Sequence, residues 1–121
     1  MSHPTANYKV IPLQQVRRDA KKILNPQQLQ AAIKLCKLLK YYPQNVGLDF
    51  ERCVDGFELR IDDPVINKQG WLRAAFWVHE KAKVIYIVDV FWKKTNQVSQ
   101  ADLHRINHRI RQLKLTLARK S

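Results

Sequence analysis

The chain has 121 residues, which is enough for one domain with its own core and too few for two ordinary domains. An apolar share of 45% argues against a disordered chain, and no apolar run is long enough to cross a membrane. Lysine and arginine outnumber aspartate and glutamate 22 to 10, an excess typical of proteins that bind nucleic acids, anionic membranes or acidic proteins.

The N-terminal sequence indicates where in the cell the protein is expected, and the spacing of the cysteines indicates whether it is expected to bind a metal. The start, MSHPTANYKV, lacks the basic residues and long apolar stretch of a signal peptide. Cys36 and Cys53 show no Cys-x-x-Cys pairing or other metal-ligand spacing, and Cys36 falls on the apolar stripe of a predicted helix. We therefore expect a cytoplasmic protein with no metal, no other cofactor and no membrane association.

The first half of the chain predicts one strand and a helical hairpin. Residues 8–11 are a short strand candidate, and residues 13–24 place apolar side chains at helical spacing beside a basic stripe. Asn25 and Pro26 form a strong helix start, because Asn can cap a helix and Pro is tolerated in the first turn. A second helix over residues 26–41 follows almost without a loop, so the two helices are predicted to form a hairpin.

The second half predicts three successive strands. After an irregular segment at 43–52, the run VDGFELRI at 54–61 alternates apolar and polar residues. A loop separates it from Trp71–His79, which is joined by the short polar turn 80–83 to a strand at 84–92 that is rich in β-branched and aromatic residues. Short connections between consecutive strands favour antiparallel pairing.

The chain ends in a predicted basic helix. Ser99 and Asp102 form a Ser-x-x-acid helix start, and a narrow apolar seam follows at Leu103, Ile106, Ile110, Leu113 and Leu117. We expect this seam to pack on the chain's own sheet, since an exposed apolar seam is uncommon. The predicted fold class is α+β: two N-terminal helices packed on a small antiparallel sheet of about four strands, with a basic C-terminal helix, in one domain over residues 1–121.

Three sequence blocks resemble a known family. They are GFELRI at 56–61, WLRAAFWV at 71–78 and VFWKKT at 90–95, followed by a basic helix. In this order they resemble the RelE/HigB-like toxins of the RelE/ParE superfamily, in the branch first described from phage-derived proteins. The resemblance covers roughly residues 8–117. It implies the toxin of a type II toxin–antitoxin pair, a ribosome-dependent mRNA endoribonuclease that is held inactive by a small antitoxin protein.

The resemblance also implies which residues act. The family's basic site positions fall on Arg60, Arg73, Lys93 and Lys94. Such cations can stabilise the charge that develops on phosphate oxygens when a ribose 2′-OH attacks, without a metal. A general base must come from elsewhere, and His79 is the first candidate, with Asp89, His104 and His108 as the others. Basic positions expected to contact RNA outside the chemistry are Lys81, Lys83, Arg105 and Arg109.

Each of these residues also has a structural interpretation. Glu58 and Arg60 share a strand face and could form a solvated pair, while Arg73 could pair with Asp89, the acidic residue of an otherwise apolar strand. The aromatic side chains of the strands are expected mainly in the core, although one or two could stack on an unpaired base: Trp71, Phe76, Trp77, Tyr86, Phe91 and Trp92.

The sequence leaves two other functions open. The apolar run at 76–78 departs from the family pattern on the strand that should carry part of the site, so cutting activity could be weak or absent. The first alternative is a basic RNA- or DNA-binding module without catalysis. The second is a toxin of the same fold that inhibits DNA gyrase.

Overall fold

The computed structural model describes residues 5–44, 49–53, 56–61, 71–93 and 97–120. The chain forms a short N-terminal strand, then a pair of helices, then four further strands and finally a long helix. In chain order they are β1 (Lys9–Pro12), α1 (Gln14–Ile23), α2 (Pro26–Lys37) with a 3₁₀ turn (Leu38–Tyr41), β2 (Asp49–Cys53), β3 (Gly56–Ile61), β4 (Trp71–His79), β5 (Val84–Lys93) and α3 (Gln100–Lys120).

Both helix starts predicted from sequence are confirmed by their hydrogen bonds. The side-chain oxygen of Asn25 accepts from the backbone N–H of Gln28 at 2.8 Å, and the Gln28 side chain accepts from the Asn25 N–H at 3.0 Å. This reciprocal capping satisfies backbone donors that the first turn of α2 would otherwise leave unpaired. At the start of α3, the Ser99 hydroxyl oxygen accepts from the Asp102 N–H at 3.1 Å.

The strands form a single sheet in the order β1-β5-β4-β3-β2. The predicted α+β class is confirmed, with the N-terminal helices against the sheet and the basic helix at the C-terminus. Two details differ from the prediction. The segment predicted as irregular contains β2, and β1 pairs in parallel with β5, so the sheet is mixed rather than wholly antiparallel.

One face of the sheet is covered by the helical hairpin of α1 and α2. The core there is built from Val16 and Ala20 of α1 and from the sheet residues Leu59, Leu72 and Phe76, all of them buried. Cys36 packs against this core, as predicted. The apolar side chains at every second position of β3 and β4 therefore face the helical hairpin, because alternate residues of a strand lie on the same side of the sheet.

The opposite face carries α3. Ile106 and Ile110 are 1% exposed and pack on Ala75, Val88 and Phe91, so the seam is used within the chain, as predicted. The far end of the same helix extends past this contact and is largely exposed. Of the helices that the structure describes, none combines the length and apolar character that a membrane span requires.

Helix α3 and the sheet approach closely at Gly56. A Cβ built on Gly56 would collide with the backbone oxygen of Phe76 and would lie 3.2 Å from Cδ1 of Ile110. A β-bulge lies beside this point, because Ala75 pairs with Asp89 whereas Phe76 pairs with Ile87. Bulges turn neighbouring side chains to the same side of a strand, so β5 presents Val88 and Asp89 together towards α3.

Candidate active site

A cationic cluster lies on the α3-bearing face of the sheet. Strand register places Arg60 of β3 directly opposite Arg73 of β4, and Trp71 of β4 opposite Lys93 of β5. Side chains at alternate positions of a strand share a face, so Glu58 lies on the same side of β3 as Arg60. Three of the four predicted site cations thus share one face of the sheet, and the fourth, Lys94, lies outside the described residues.

Glu58 holds this cluster together. Its Oε1 accepts hydrogen bonds from Nε of Arg73 and from Nζ of Lys93, each at 2.9 Å. The side chains of all three residues are less than 10% exposed. Arg73 Nη1 also donates to the Leu72 carbonyl oxygen at 3.1 Å. One carboxylate between two cations leaves a net positive charge, and the short contacts fix both cations in position.

Arg60 completes the cluster from the solvent side. Its side chain is exposed, in contrast to those of Arg73 and Lys93. Arg60 thus adds positive charge at the exposed edge of the cluster, which favours the approach of a phosphate group.

The role of Glu58 was missed by sequence reasoning. The prediction of a solvated Glu58–Arg60 pair is wrong, because Glu58 is 5% exposed and its carboxylate is bound by Arg73 and Lys93. A signal was present in the sequence, since Glu58 shares a strand face with Arg60, and the family resemblance assigned Arg60 to the same site as Arg73 and Lys93. A buried carboxylate costs much less free energy when cations pair with it than when it is left unpaired, so pairing of Glu58 with the site cations was to be expected.

A second network of charges lies beside the first. Asp89 is 1% exposed and accepts from Nη2 of Arg105 at 2.7 Å and from Nη1 of Arg109 at 2.9 Å. Arg105 also contacts Asp102 at 2.6 Å, and Arg109 contacts Asp19 of α1 at 2.9 Å. The predicted Arg73–Asp89 pair is therefore wrong, because Asp89 pairs with α3 instead.

The environment of Asp89 shifts its protonation and that of its neighbour. Burial raises the pKa of the Asp89 carboxyl, although the hydrogen bond and the charge of Arg105 and the charge of Arg109 oppose this rise. The hydrogen bond to Asp89 raises the pKa of the Arg105 guanidinium, so that group stays charged. Arg105 and Arg109, which were predicted to contact RNA, are thus largely engaged in holding α3 on the sheet.

A cleft of about 800 Å³ opens between β5, α1 and the start of α3. Its wall includes Lys93, so the Glu58 cluster and the cleft are continuous. Other cations and anions line it at Asp19, Lys22, Asp89, Asp102, Arg105 and Arg109. The cleft is therefore a charged depression next to the cluster, of a size that admits a nucleotide.

The structure does not bring the predicted base His79 to this cluster. His79 lies at the opposite end of β4 from Trp71, six residues beyond Arg73, which is about 20 Å along a strand. It stacks on Trp77 with ring centroids 5.3 Å apart. The other histidine candidates, His104 and His108, are exposed on α3.

The remaining predicted RNA contacts lie in the β4–β5 turn near His79. Lys81 and Lys83 are both exposed there. Nζ of Lys83 lies 3.1 Å from the Glu80 carboxylate and 5.1 Å from the centre of the Tyr8 ring. These lysines are thus separated from the Glu58 cluster by most of the length of β4.

Comparison with known proteins identifies the fold. No protein-family model and no curated protein matches the chain by sequence. Among solved structures, the toxin–antitoxin complex RelBE2 of Mycobacterium tuberculosis matches with a TM-score of 0.53 and 22% identity, over 72% of this chain and 99% of that one. The archaeal RelE–RelB complex of Pyrococcus horikoshii matches with a TM-score of 0.51 and 21% identity, over 71% and 94%.

A third match is a mutant of the Escherichia coli toxin RelE in the free state, with a TM-score of 0.55 and 10% identity over 81% of this chain and 90% of that one. All three identities are low, so the similarity rests on the arrangement of helices and strands. It agrees with the resemblance seen in the sequence blocks. The chain has the fold of the RelE toxins.

Proposed function

We propose that this chain is the toxin of a type II toxin–antitoxin pair and that it cuts messenger RNA on the ribosome. The observation that carries the proposal is the binding of Arg73 and Lys93 to Glu58, with Arg60 opposite Arg73 in the sheet, on a fold shared with RelE toxins. A net charge of +12 suits a polyanionic substrate.

The proposed reaction is an attack by a ribose 2′-OH on the adjacent phosphate. The bond from O2′ to phosphorus forms as the 2′-OH gives up its proton, the bond from phosphorus to O5′ breaks, and the leaving 5′-oxygen takes one proton from water. Arg73 and Lys93 are held in place before the substrate arrives, so they stabilise the added charge on the phosphate oxygens without reorganising. Arg60 is the exposed cation that guides the phosphate to them.

Glu58 replaces His79 as the candidate acceptor of the 2′-OH proton. A general base must lie within hydrogen-bond reach of the group that it deprotonates. Glu58 contacts both buried cations of the cluster, whereas His79 is about 20 Å away along β4. The same carboxylate would therefore orient the cations and receive the proton.

The proposed regulatory partner is a small antitoxin protein. Two of the similar solved structures are complexes of a RelE toxin with its RelB antitoxin. A partner that neutralises this chain would have to oppose its excess of positive charge, so we expect the antitoxin to be acidic in the part that covers the cluster.

The experiment is induced expression in a bacterium, with growth and the positions of messenger RNA ends as readouts. We would compare the wild-type chain with Arg60→Ala, and use Arg18→Ala as the matched control. Both arginines are exposed, but Arg18 lies on α1. We expect growth arrest with new ends inside reading frames for the wild type and for Arg18→Ala, and loss of both effects for Arg60→Ala. Normal growth of the wild-type strain would overturn the proposal.

A non-catalytic nucleic-acid-binding module is the second candidate. It is favoured by the commitment of both Arg73 and Lys93 to Glu58, which leaves them less charge to offer a transition state. It predicts growth arrest without new RNA ends, and RNA binding that weakens steeply with salt. A supercoiling assay with purified gyrase separates both candidates from a gyrase inhibitor.

A further inference from the structure

Three rings form a row on the α3-bearing face of the sheet, at the end away from the Glu58 cluster. The rings of His79 and Trp77 lie 5.3 Å apart at an interplanar angle of 18°, and those of Trp77 and Tyr86 lie 6.2 Å apart at 21°. Trp77 and Tyr86 pair directly across β4 and β5. The strands thus hold the rings in a nearly parallel stack ordered His79, Trp77, Tyr86.

The two ends of this row differ in their surroundings. Trp77 and Tyr86 pack against the core under α3, and Lys114 of that helix lies 5.5 Å from the centre of the Trp77 ring. His79, at the end of β4, is half-buried. Among the described residues, no ring other than Trp77 stacks on it. Because His79 is half-buried rather than fully buried, part of its imidazole is exposed to solvent.

Positive charge lies next to this open end. Lys81, two residues beyond His79 in the turn, is exposed and makes no ion pair with any described residue. Lys83 in the same turn is held by Glu80 at 3.1 Å. A planar, uncharged group on His79 would thus have a flexible cation within reach of an attached phosphate. This combination of an aromatic face with a neighbouring lysine is how proteins grip single-stranded nucleic acid.

We propose that the outer face of His79 is a stacking site for an unpaired nucleobase of single-stranded RNA, with Lys81 contacting the adjoining phosphate. The proposal rests on the proposed function, since it assigns a second contact to the same substrate. His79 and Arg73 lie on the same face of β4, about 20 Å apart. Because α3 covers Ala75 and Trp77 between these two points, an RNA strand that reaches both has to pass around that helix.

The test is the affinity of the purified chain for hexa-adenylate RNA at low salt, measured by fluorescence anisotropy. His79→Ala removes the stacking face, His79→Phe keeps an aromatic face without the imidazole, and His108→Ala removes an exposed histidine that stacks on no ring in the described structure. Thermal melting of each variant verifies folding. A hexamer of abasic ribose phosphates probes the backbone contacts alone.

We expect His79→Ala to weaken binding of hexa-adenylate by about 5- to 100-fold, the range for one stacked base, and His79→Phe to bind close to the wild type. His108→Ala should bind like the wild type, and the abasic hexamer should be insensitive to His79→Ala. Unchanged binding by His79→Ala, or equal losses for His79→Ala and His108→Ala, would overturn the stacking site.

Failure of this inference can be told apart from failure of the proposed function. If Arg60→Ala abolishes RNA cutting in the bacterium but His79→Ala leaves hexa-adenylate binding intact, only the stacking site is wrong. If the wild-type chain neither cuts RNA nor binds the hexamer, both are wrong.

Discussion

Nε of Arg73 lies 2.9 Å from Oε1 of Glu58, and both side chains are less than 10% exposed. The same oxygen receives Nζ of Lys93. Because both cations are bound by the one carboxylate, removing its charge leaves Arg73 and Lys93 without an anion in a poorly solvated place. Breaking a buried ion pair from one side is among the costliest single changes in proteins.

We therefore expect Glu58→Gln to lower the free energy of unfolding by about 3–5 kcal/mol. The change keeps the shape of the side chain and removes only its charge. Urea denaturation monitored by tryptophan fluorescence provides the measurement, and Lys34→Gln, which removes a charge at an exposed position of α2, is the control. A loss for Glu58→Gln no larger than that for Lys34→Gln would show that the cluster does not depend on its carboxylate.

The hydrogen bond between Tyr8 and Glu80 gives a prediction about pH. The Tyr8 hydroxyl donates to both Glu80 oxygens, at 2.9 and 2.8 Å, and joins the residue before β1 to the β4–β5 turn. Burial, followed by the hydrogen bond to Glu80, raises the pKa of Tyr8 above its ordinary 10.0. The hydrogen bonds from Tyr8 and then Lys83 lower the pKa of Glu80 below its ordinary 4.5.

A lowered carboxyl pKa contributes stability above pH 4.5, and this is lost as the pH falls through the folded-state pKa. A raised phenol pKa contributes stability below pH 10.0, and this is lost as the pH rises through the folded-state pKa. The stability difference between wild type and Tyr8→Phe should therefore be greatest between these limits and shrink on either side. Chemical denaturation at a series of pH values tests this, and a constant difference at every pH would contradict it.

The close approach at Gly56 predicts that even a methyl group is not tolerated there. In Gly56→Ala the new Cβ meets the backbone oxygen of Phe76, which cannot move without disturbing the β3–β4 pairing. We expect a loss of about 1–3 kcal/mol in the free energy of unfolding, typical of overpacking. Thermal melting measures the loss. Truncating Ile110 in the same chain should not restore it, because the backbone oxygen is the nearer obstacle.

The ion pair between Arg109 and Asp19 is expected to couple the last helix to the first. Their 2.9 Å contact joins α3 to α1 across the edge of the cleft. A double-mutant cycle of Arg109→Met and Asp19→Asn should give a coupling free energy of about 0.5–3 kcal/mol. Replacing the arginine change with Arg111→Met, at an exposed position of α3, should give additive losses. If the losses from Arg109→Met and Asp19→Asn were additive too, the contact between these side chains would not couple α3 to α1.

Much of the fold could be predicted because local signals agreed with one another. Asn25 and Pro26 predicted the start of α2, which the cap of Asn25 confirms, and apolar spacing along α3 identified Ile106 and Ile110 as buried. Strand β2 escaped prediction because it is a short segment at the edge of the sheet, where backbone pairing rather than a run of apolar side chains defines the strand.

The candidate site was harder to predict than the fold. Alternation along β3 correctly placed Glu58 and Arg60 on the same face, but it carries no information about what covers that face. Burial of Glu58 depends on the position of Arg73 and Lys93 on two other strands. Which residue pairs with Asp89 likewise depends on a bulge in β5 and on the packing of α3 against the sheet. Neither feature can be predicted from the residues near Asp89 in the sequence.

The parallel pairing of β1 with β5 has a consequence for how the chain folds. Lys9 pairs with Val84, so the ladder between these strands joins segments separated by most of the sequence. Long-range pairing of this kind closes a large loop and is slow to form. In a growing chain whose β5 is still inside the ribosome, α1 and α2 lack an interior strand of their sheet, and the cluster lacks Lys93. The cluster at Glu58 can therefore assemble only after β5 has left the ribosome, which delays any activity of that cluster until then.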